Sequence, residues 1–337
     1  MKWRSGCQNN VWYDWATGPL GHFAAGLVLC AVTSGCAYAP LRASAHHPAP
    51  LPPELAAYYS YPSRPSDITI TLIGERASVR ESLVRFPLSV PPGFVPTEPT
   101  VELEWLESTA PGRRPAILFN PILGGDYPLE RGICRFLARR GFHVALIHRK
   151  TLKISPSNEA DHLERLLRQG VLRIRQVVDW MEANERVDPN RMGSFGISLG
   201  GMASVIAAAV EPRLKAHLVA LAGGSVPDIL MSSRDPLLTK PLARYLSARK
   251  MDRQTLYDLL KERTKTDPMR LAPYVDRRQL FLLIALADRT IGTANAMRLY
   301  HALGEPQAVF IPAGHYTAYF FLPYIKLVSL RFFRKAL

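Results

Sequence analysis

Residues 191–201 read Arg-Met-Gly-Ser-Phe-Gly-Ile-Ser-Leu-Gly-Gly and run straight into Met-Ala-Ser-Val-Ile-Ala-Ala-Ala-Val. The apolar run predicts a strand and the alanine-rich continuation predicts a helix. Between them stands Gly196-x-Ser198-x-Gly200. A strand that becomes a helix within one residue needs strained backbone at the turn. It also needs glycines where a Cβ would strike the neighbouring strand or helix. Such a turn lifts the Ser198 hydroxyl off the sheet edge. It aims that hydroxyl at the first turn of the next helix, whose unpaired N–H groups favour developing negative charge. The segment therefore implies a serine nucleophile mounted on a sheet that alternates with helices.

The surrounding pattern supports that architecture. Residues 68–73 alternate as a strand, and 79–90 and 101–106 supply two more, expected as an antiparallel edge. From residue 115 the rhythm changes. Residues 116–119 form a short, uniformly apolar strand of the kind buried on both faces. A helix over 129–140, a strand over 143–147 and a long amphipathic helix over 161–185 follow, the last with apolar residues spaced by three and four. Asp188-Pro189-Asn190 is expected to turn the chain into the serine strand, and 216–222 is the next strand. Residues 225–266 are charged and helical, broken by Pro227, Pro236 and Pro241, which suggests an inserted cap. Core strands resume at 279–287 and 308–311, with helices over 293–303 and at the C-terminus. The expected fold is α/β: a mostly parallel sheet covered by helices on both faces.

A serine at its ordinary pKa needs a base, and the base needs an orienting group. Asp288 directly follows the apolar strand, and His315 follows the last strand in Ile-Pro-Ala-Gly-His-Tyr. Both fall at the carboxyl edge of the sheet, where open α/β sheets build their sites. Asp267 is the rival carboxylate and reads as a helix cap before Leu271. His148, His217 and His301 are rival bases. His217 opens a strand, His301 lies within a helix, and His148 ends an earlier strand.

On Gly196-x-Ser198-x-Gly200-Gly201, Asp288 and Gly314-His315, the chain resembles the α/β-hydrolase fold family from about residue 67 to the C-terminus. The resemblance implies that Ser198 attacks an acyl carbon, that His315 shuttles the proton and that Asp288 fixes the imidazole. Where the family usually has Asp-x-x-Val-Pro at the acid, this chain has Asp288-Arg289-Thr290-Ile291-Gly292, so that loop is expected to differ in shape. The oxyanion needs two backbone donors. The N–H of Leu199 is one. The loop Asn120-Pro121-Ile122-Leu123-Gly124-Gly125-Asp126-Tyr127 is expected to give the other, first from Leu123, then Ile122, then Gly124. Asp126 and Tyr127 are candidates for the pocket mouth, along with Gly124.

Residues 23–32 (FAAGLVLCAV) form an apolar run of signal-peptide length ending in Thr33-Ser34-Gly35-Cys36. This is similar to a bacterial lipoprotein signal, which implies cleavage before Cys36 and a lipid on that residue. A plain secretion signal or an uncleaved anchor is the alternative. The expected location is the bacterial envelope. Cleavage removes Cys7 and Cys30 and leaves Cys134, expected as a buried, inert thiol, so no disulfide framework is expected. The proline-rich residues 36–66, with adjacent His46 and His47, are expected to form an extended tether. The body of the protein is then residues 67–337.

The net charge of +14 is scattered over many elements, and no basic block is interleaved with aromatics. Nucleic-acid binding is therefore not expected, while attraction to anionic surfaces is. No His-Glu-x-x-His, Cys-x-x-Cys or Gly-x-Gly-x-x-Gly is present, so no metal or cofactor is implied. The expected activity is ester hydrolysis through an acyl-enzyme, on a small-molecule or lipid-like ester. An acyltransferase, thioesterase or peptidase with the same triad, or a non-catalytic binding module, are the competing readings.

Overall fold

Hydrogen bonding assembles a ten-stranded sheet among the described residues, which in this computed structural model are 36–41, 47–76, 78–123, 125–149, 154–159 and 161–337. The expected signal segment at 1–35, with Cys7 and Cys30, lies outside them, as do His46 and Gly124. The strands are β1 (Ala37–Ala39), β2 (Thr69–Arg76), β3 (Val79–Pro87), β4 (Thr100–Ser108), β5 (Arg114–Asn120) and β6 (His143–Ile147). They continue with β7 (Val187–Ile197), β8 (Leu214–Ala220), β9 (Leu280–Ala285) and β10 (Gln307–Ile311). Their order across the sheet is β1-β10-β9-β8-β7-β5-β6-β4-β3-β2. The six strands from β10 to β6 are mutually parallel. On one side β4, β3 and β2 extend the sheet antiparallel, as the sequence pattern implied.

Helices α1 (Pro53–Tyr58), α2 (Pro128–Ala138), α3 (His162–Glu182), α4 (Leu199–Val210), α5 (Val226–Ser232) and α6 (Pro236–Arg249) come next in chain order. They are followed by α7 (Arg253–Arg263), α8 (Pro268–Leu271), α9 (Thr293–Ala302) and α10 (Leu322–Ala336). The strand period of two sorts the core. Ile117 and Phe119 of β5 join a cluster with Ile133, Cys134 and Leu137 of α2 and Phe333 of α10. Ala116 and Leu118 join a second cluster with Leu172, Ile174 and Val177 of α3 on the other face. Cys134 is fully buried, and burial pushes its thiol well above the ordinary range.

Two expectations need correction. Residues 188–190 do not turn into the strand; they form an irregularity within β7, where pairing with β5 shifts between Arg114 and Ala116. The proline-rich segment is not a tether over its described length. It includes α1, and the tyrosines at and just after its end grip α3 and the loop before α8. Tyr58 and Tyr61 donate hydroxyls to Glu164 and Asp179 at 2.8 and 2.7 Å, while the fully buried Tyr59 donates to Thr266 at 3.1 Å. The prolines spell an extended chain, but three large aromatic side chains give it something to bury.

The chain leaves β5 to one side for β6 and returns on the other side as β7. The crevice at this reversal is where an open α/β sheet holds its ligand. The loops after β5 and β7 both open into it. Helices α5, α6 and α7, inserted between β8 and β9, form the expected cap.

Candidate active site

Ser198 sits between β7 and α4 with φ 57° and ψ −120°, a left-handed conformation that a non-glycine residue adopts only under constraint. Its N–H donates to the Ala220 carbonyl of β8 at 2.8 Å. A Cβ on Gly196 would run into the Gly200 carbonyl, and one on Gly200 into the Asn120 carbonyl at the end of β5. Both glycines are therefore demanded by the close approach of three backbones. Asn120 ties the same corner by donating to Ser204 Oγ at 3.0 Å.

The structure brings Ser198, His315 and Asp288 together from three different loops. The Ser198 hydroxyl donates to His315 Nε2 at 3.0 Å. His315 Nδ1 donates to Asp288 Oδ2 at 2.7 Å. The other oxygen, Asp288 Oδ1, accepts the backbone N–H groups of Thr290 and Ile291, both at 2.9 Å. The loop that departs from the family pattern thus curls around its own carboxylate as an Asx-type turn. Gly292, at φ +85°, then leads into α9. This arrangement can pass the serine proton to an imidazole whose tautomer is fixed from behind.

The rival residues lie elsewhere. Asp267 caps α8, accepting from Met269 N–H at 2.8 Å and Val226 N–H at 2.7 Å. His148 is clamped between Glu102 and Glu104, at 2.9 Å from each. His217 is fully buried beside Ser194 Oγ, and burial lowers it to about 4. His301 is exposed and pairs with Glu305.

Leu199 begins α4, where its N–H has no carbonyl within the helix to reach. Ile122 and Leu123 line the same cavity as Ser198. Their N–H groups are not equivalent, however. That of Ile122 donates to Glu130 Oε1 at 3.3 Å and is thereby engaged, whereas no such bond engages that of Leu123 among the described residues. Glu130 is fully buried at the start of α2, and burial raises its carboxyl above the usual range. Arg149 holds the loop from the other side. Its Nε donates to the Ile122 carbonyl at 3.1 Å, and its Nη2 reaches the carbonyls of both Pro121 and Ile122. Sequence reasoning missed both residues, although a charged pair, His148-Arg149, at the end of an apolar strand was a signal.

Neither Asp126 nor Tyr127 lines the cavity. Asp126 is exposed, with its carbonyl held by Arg131. Tyr127 is buried at φ 55° and donates its hydroxyl to the Arg149 carbonyl at 2.7 Å, so it braces the loop from below.

Above Ser198 opens a cavity of about 810 Å³. Leu163, Leu167, Ile229, Leu242, Leu256 and Leu260 are among its walls, drawn from α3 and the cap. Asp235 joins the cap to the loops of Asp288 and His315. Its Oδ2 accepts the hydroxyls of Tyr316 and Thr290 at 2.5 and 2.8 Å, and its Oδ1 accepts the Leu237 N–H that starts α6. Burial works against its charge, but these hydrogen bonds hold it below the usual carboxylate range. The residues that flank Asp288 and His315 thus both grip the cap. Among the described residues, no group of three or more His, Cys, Asp or Glu side chains could hold a metal ion.

Solved structures share this frame. Acetyl xylan esterase 1 from Thermoanaerobacterium sp. JW/SL YS485 is 16% identical, with a TM-score of 0.66 over 85% of this chain and 95% of that one. The acetyl xylan esterase from Paenibacillus sp. R4 is 16% identical, with a TM-score of 0.63 over 84% and 93%. The acylaminoacyl peptidase of Pyrococcus horikoshii is 14% identical, with a TM-score of 0.53 over 80% of this chain and 50% of that one. No curated protein matches the sequence. The profile of the prolyl oligopeptidase family matches residues 132–311, more than half of the chain, from α2 to the end of β10. The chain therefore belongs to the prolyl oligopeptidase family and is an esterase-like serine hydrolase built on the α/β-hydrolase fold.

Proposed function

We propose that this serine hydrolase cleaves esters of hydrophobic acyl groups, with Ser198 as nucleophile, His315 as general base and acid, and Asp288 as the orienting carboxylate. The Ser198 hydroxyl attacks the ester carbonyl as its proton passes to His315 Nε2. The N–H groups of Leu199 and Leu123 receive the oxyanion. His315 then protonates the departing alcohol, leaving an acyl group on Ser198. Water, deprotonated by the same imidazole, releases the acid and restores the serine.

The observation that carries this reading is a serine–imidazole pair at 3.0 Å on the floor of a cavity walled by aliphatic side chains. A peptide entering such walls strips water from amides that find few partners, at roughly 1–3 kcal/mol each. An acyl chain instead gains about 0.8 kcal/mol per buried methylene. The cavity therefore favours acyl esters over peptides.

A fluorophosphonate probe should label the wild-type protein and leave Ser198→Ala unlabelled. Across a series of p-nitrophenyl esters, kcat/KM should rise about fourfold per added methylene until the cavity is full. A rate that is flat or falls from acetyl onward, or labelling that survives Ser198→Ala, rules the proposal out. The envelope placement belongs to the same reading and rests on the sequence alone. Mass spectrometry of the membrane fraction should find acyl groups on Cys36, and an unmodified Cys36 in the mature chain overturns it.

A further inference from the structure

We infer that the rim of the catalytic cavity docks on an anionic phospholipid surface, so that the ester substrate enters from the lipid rather than from water. The docking is argued from the exposed rim and from the path of the N-terminal segment, and the entry route rests on the ester-hydrolase reading above.

Side chains that both line the cavity and face solvent mark its mouth. Leu237 at the start of α6 is 68% exposed, and Tyr319, in the turn before α10, is 61% exposed. Just outside the lining, Phe320 is 66% exposed and its ring stands 6.2 Å from that of Tyr319. Leu327, seven residues further on in α10, is 52% exposed. Large apolar side chains scattered singly over a surface need no explanation. Leu237 and Tyr319 instead stand at the opening of an apolar cavity, with Phe320 against Tyr319, and water covers such a group at a cost.

Charge and chain path name the occupant. Arg244 lines the cavity, and Arg234, Lys240 and Arg289 are exposed in the chain beside its lining residues Asp235, Pro241 and Thr290, against one exposed carboxylate in the lining, Glu159. The Arg234 N–H donates to the Arg289 carbonyl at 3.0 Å, which places those two together. None of the four pairs with a carboxylate among the described residues. An apolar tip flanked by four cations without a carboxylate partner, against the single carboxylate of Glu159, matches a bilayer whose headgroups are anionic, and each such cation contributes about fivefold in binding.

The path of the N-terminal segment agrees. β1 pairs antiparallel with β10, Ala37 opposite Phe310 and Ala39 opposite Ala308. Cys36 therefore lies toward the carboxyl end of β10, the sheet edge that carries Ser198 and His315. It packs on the same apolar layer as Leu322, Tyr324 and Val328 of α10. The apolar run at 23–32 ends only a few residues earlier in sequence. A membrane attachment at this end, by acyl chains on Cys36 or by that run, would hold the sheet edge that carries Ser198 toward the lipid.

Two measurements on the full chain test the inference. In the first, Phe320→Trp and Ile70→Trp are compared with the wild type on phosphatidylcholine–phosphatidylglycerol vesicles carrying brominated acyl chains. Ile70 is exposed on β2 at the opposite sheet edge and serves as the control. Bromine should quench the added emission of Phe320→Trp and spare that of Ile70→Trp. Equal quenching at both sites, or none at Phe320→Trp, overturns the docking. In the second, the double variant Phe320→Glu, Leu327→Glu is assayed on a water-soluble short-chain ester and on a fluorogenic ester embedded in the same vesicles. Soluble turnover should stay within twofold while vesicle turnover falls at least about tenfold. Equal loss on both substrates, or on neither, overturns the entry route. An inactive wild type on the soluble ester instead defeats the catalytic reading, and the quenching experiment still decides the docking.

Discussion

Asp288→Asn puts the proposed catalytic arrangement to a sharp test, because the structure fixes which way the new amide must point. Asp288 Oδ1 accepts two backbone N–H groups at 2.9 Å, from Thr290 and Ile291, while Oδ2 faces His315 Nδ1 at 2.7 Å. In the Asn variant the amide oxygen stays with the two N–H donors. Turning the amide over would leave both donors facing an NH2 group, at about 1–3 kcal/mol for the buried Ile291 N–H and less for the half-buried Thr290 N–H. The NH2 group therefore replaces Oδ2 and donates to Nδ1. Nδ1 becomes an acceptor, so the imidazole proton moves to Nε2, and an N–H faces the Ser198 hydroxyl where a lone pair is required. The tautomer change costs the free ring little, so it wins over the flipped amide. The expected loss in kcat is about 10⁴-fold, or about 5.5 kcal/mol, the size found when the same swap is made in serine proteases. Steady-state hydrolysis of a p-nitrophenyl ester gives the rate, with circular dichroism to confirm folding. Nitrogen chemical shifts of His315 report the tautomer directly. An Asn variant within about tenfold of wild type, or one whose His315 keeps its proton on Nδ1, refutes the reasoning.

Three further outcomes follow from the geometry. Arg149→Lys loses the fork that holds the Pro121 and Ile122 carbonyls, so kcat should fall about ten- to a hundredfold with KM little changed; an unchanged kcat shows that the loop holds itself. Tyr316→Phe removes one of three hydrogen bonds to Asp235, worth about 1 kcal/mol at this exposure, so KM for a long-chain ester should rise about fivefold while kcat moves less; a change confined to kcat argues that the contact serves His315 rather than the cap. The Glu102–His148–Glu104 cluster sets a pH window for stability. Burial opposes charge on both partners, yet their mutual hydrogen bonds raise His148 above its ordinary 6.5 and, with Arg131, lower Glu104 to about 2. The His148 contribution is full below 6.5 and is lost as pH rises through the raised value; the Glu104 contribution is full above 4.5 and fades as pH falls toward 2. Urea midpoints should therefore drop on the alkaline side less steeply in His148→Gln than in wild type, and identical slopes would count against the cluster.

The sequence by itself determined the alternation of strands and helices, the turn at Ser198, and the placement of Asp288 and His315 just past strand ends. Each is a local matter. Uniformly apolar runs, helical spacing and glycines flanking a serine report the backbone within a few residues, and chain order then puts strand ends on one edge. The unusual loop at Asp288–Gly292 was legible as a departure but not as a carboxylate wrapped by its own N–H groups, since that depends on dihedral angles rather than residue type. Tertiary structure alone decided which groups complete the site. Glu130 and Arg149 grip residues 121–122 from the start of one helix and the end of one strand. Asp235 meets Tyr316 across 81 positions, and Tyr61 meets Asp179 across 118. Ion pairs and hydrogen bonds between distant residues have no period, so nothing in the linear pattern marks which partners meet. The same reason hid the packed N-terminal strap: prolines announce an extended path, but only the folded body supplies the carboxylates and the groove that hold it.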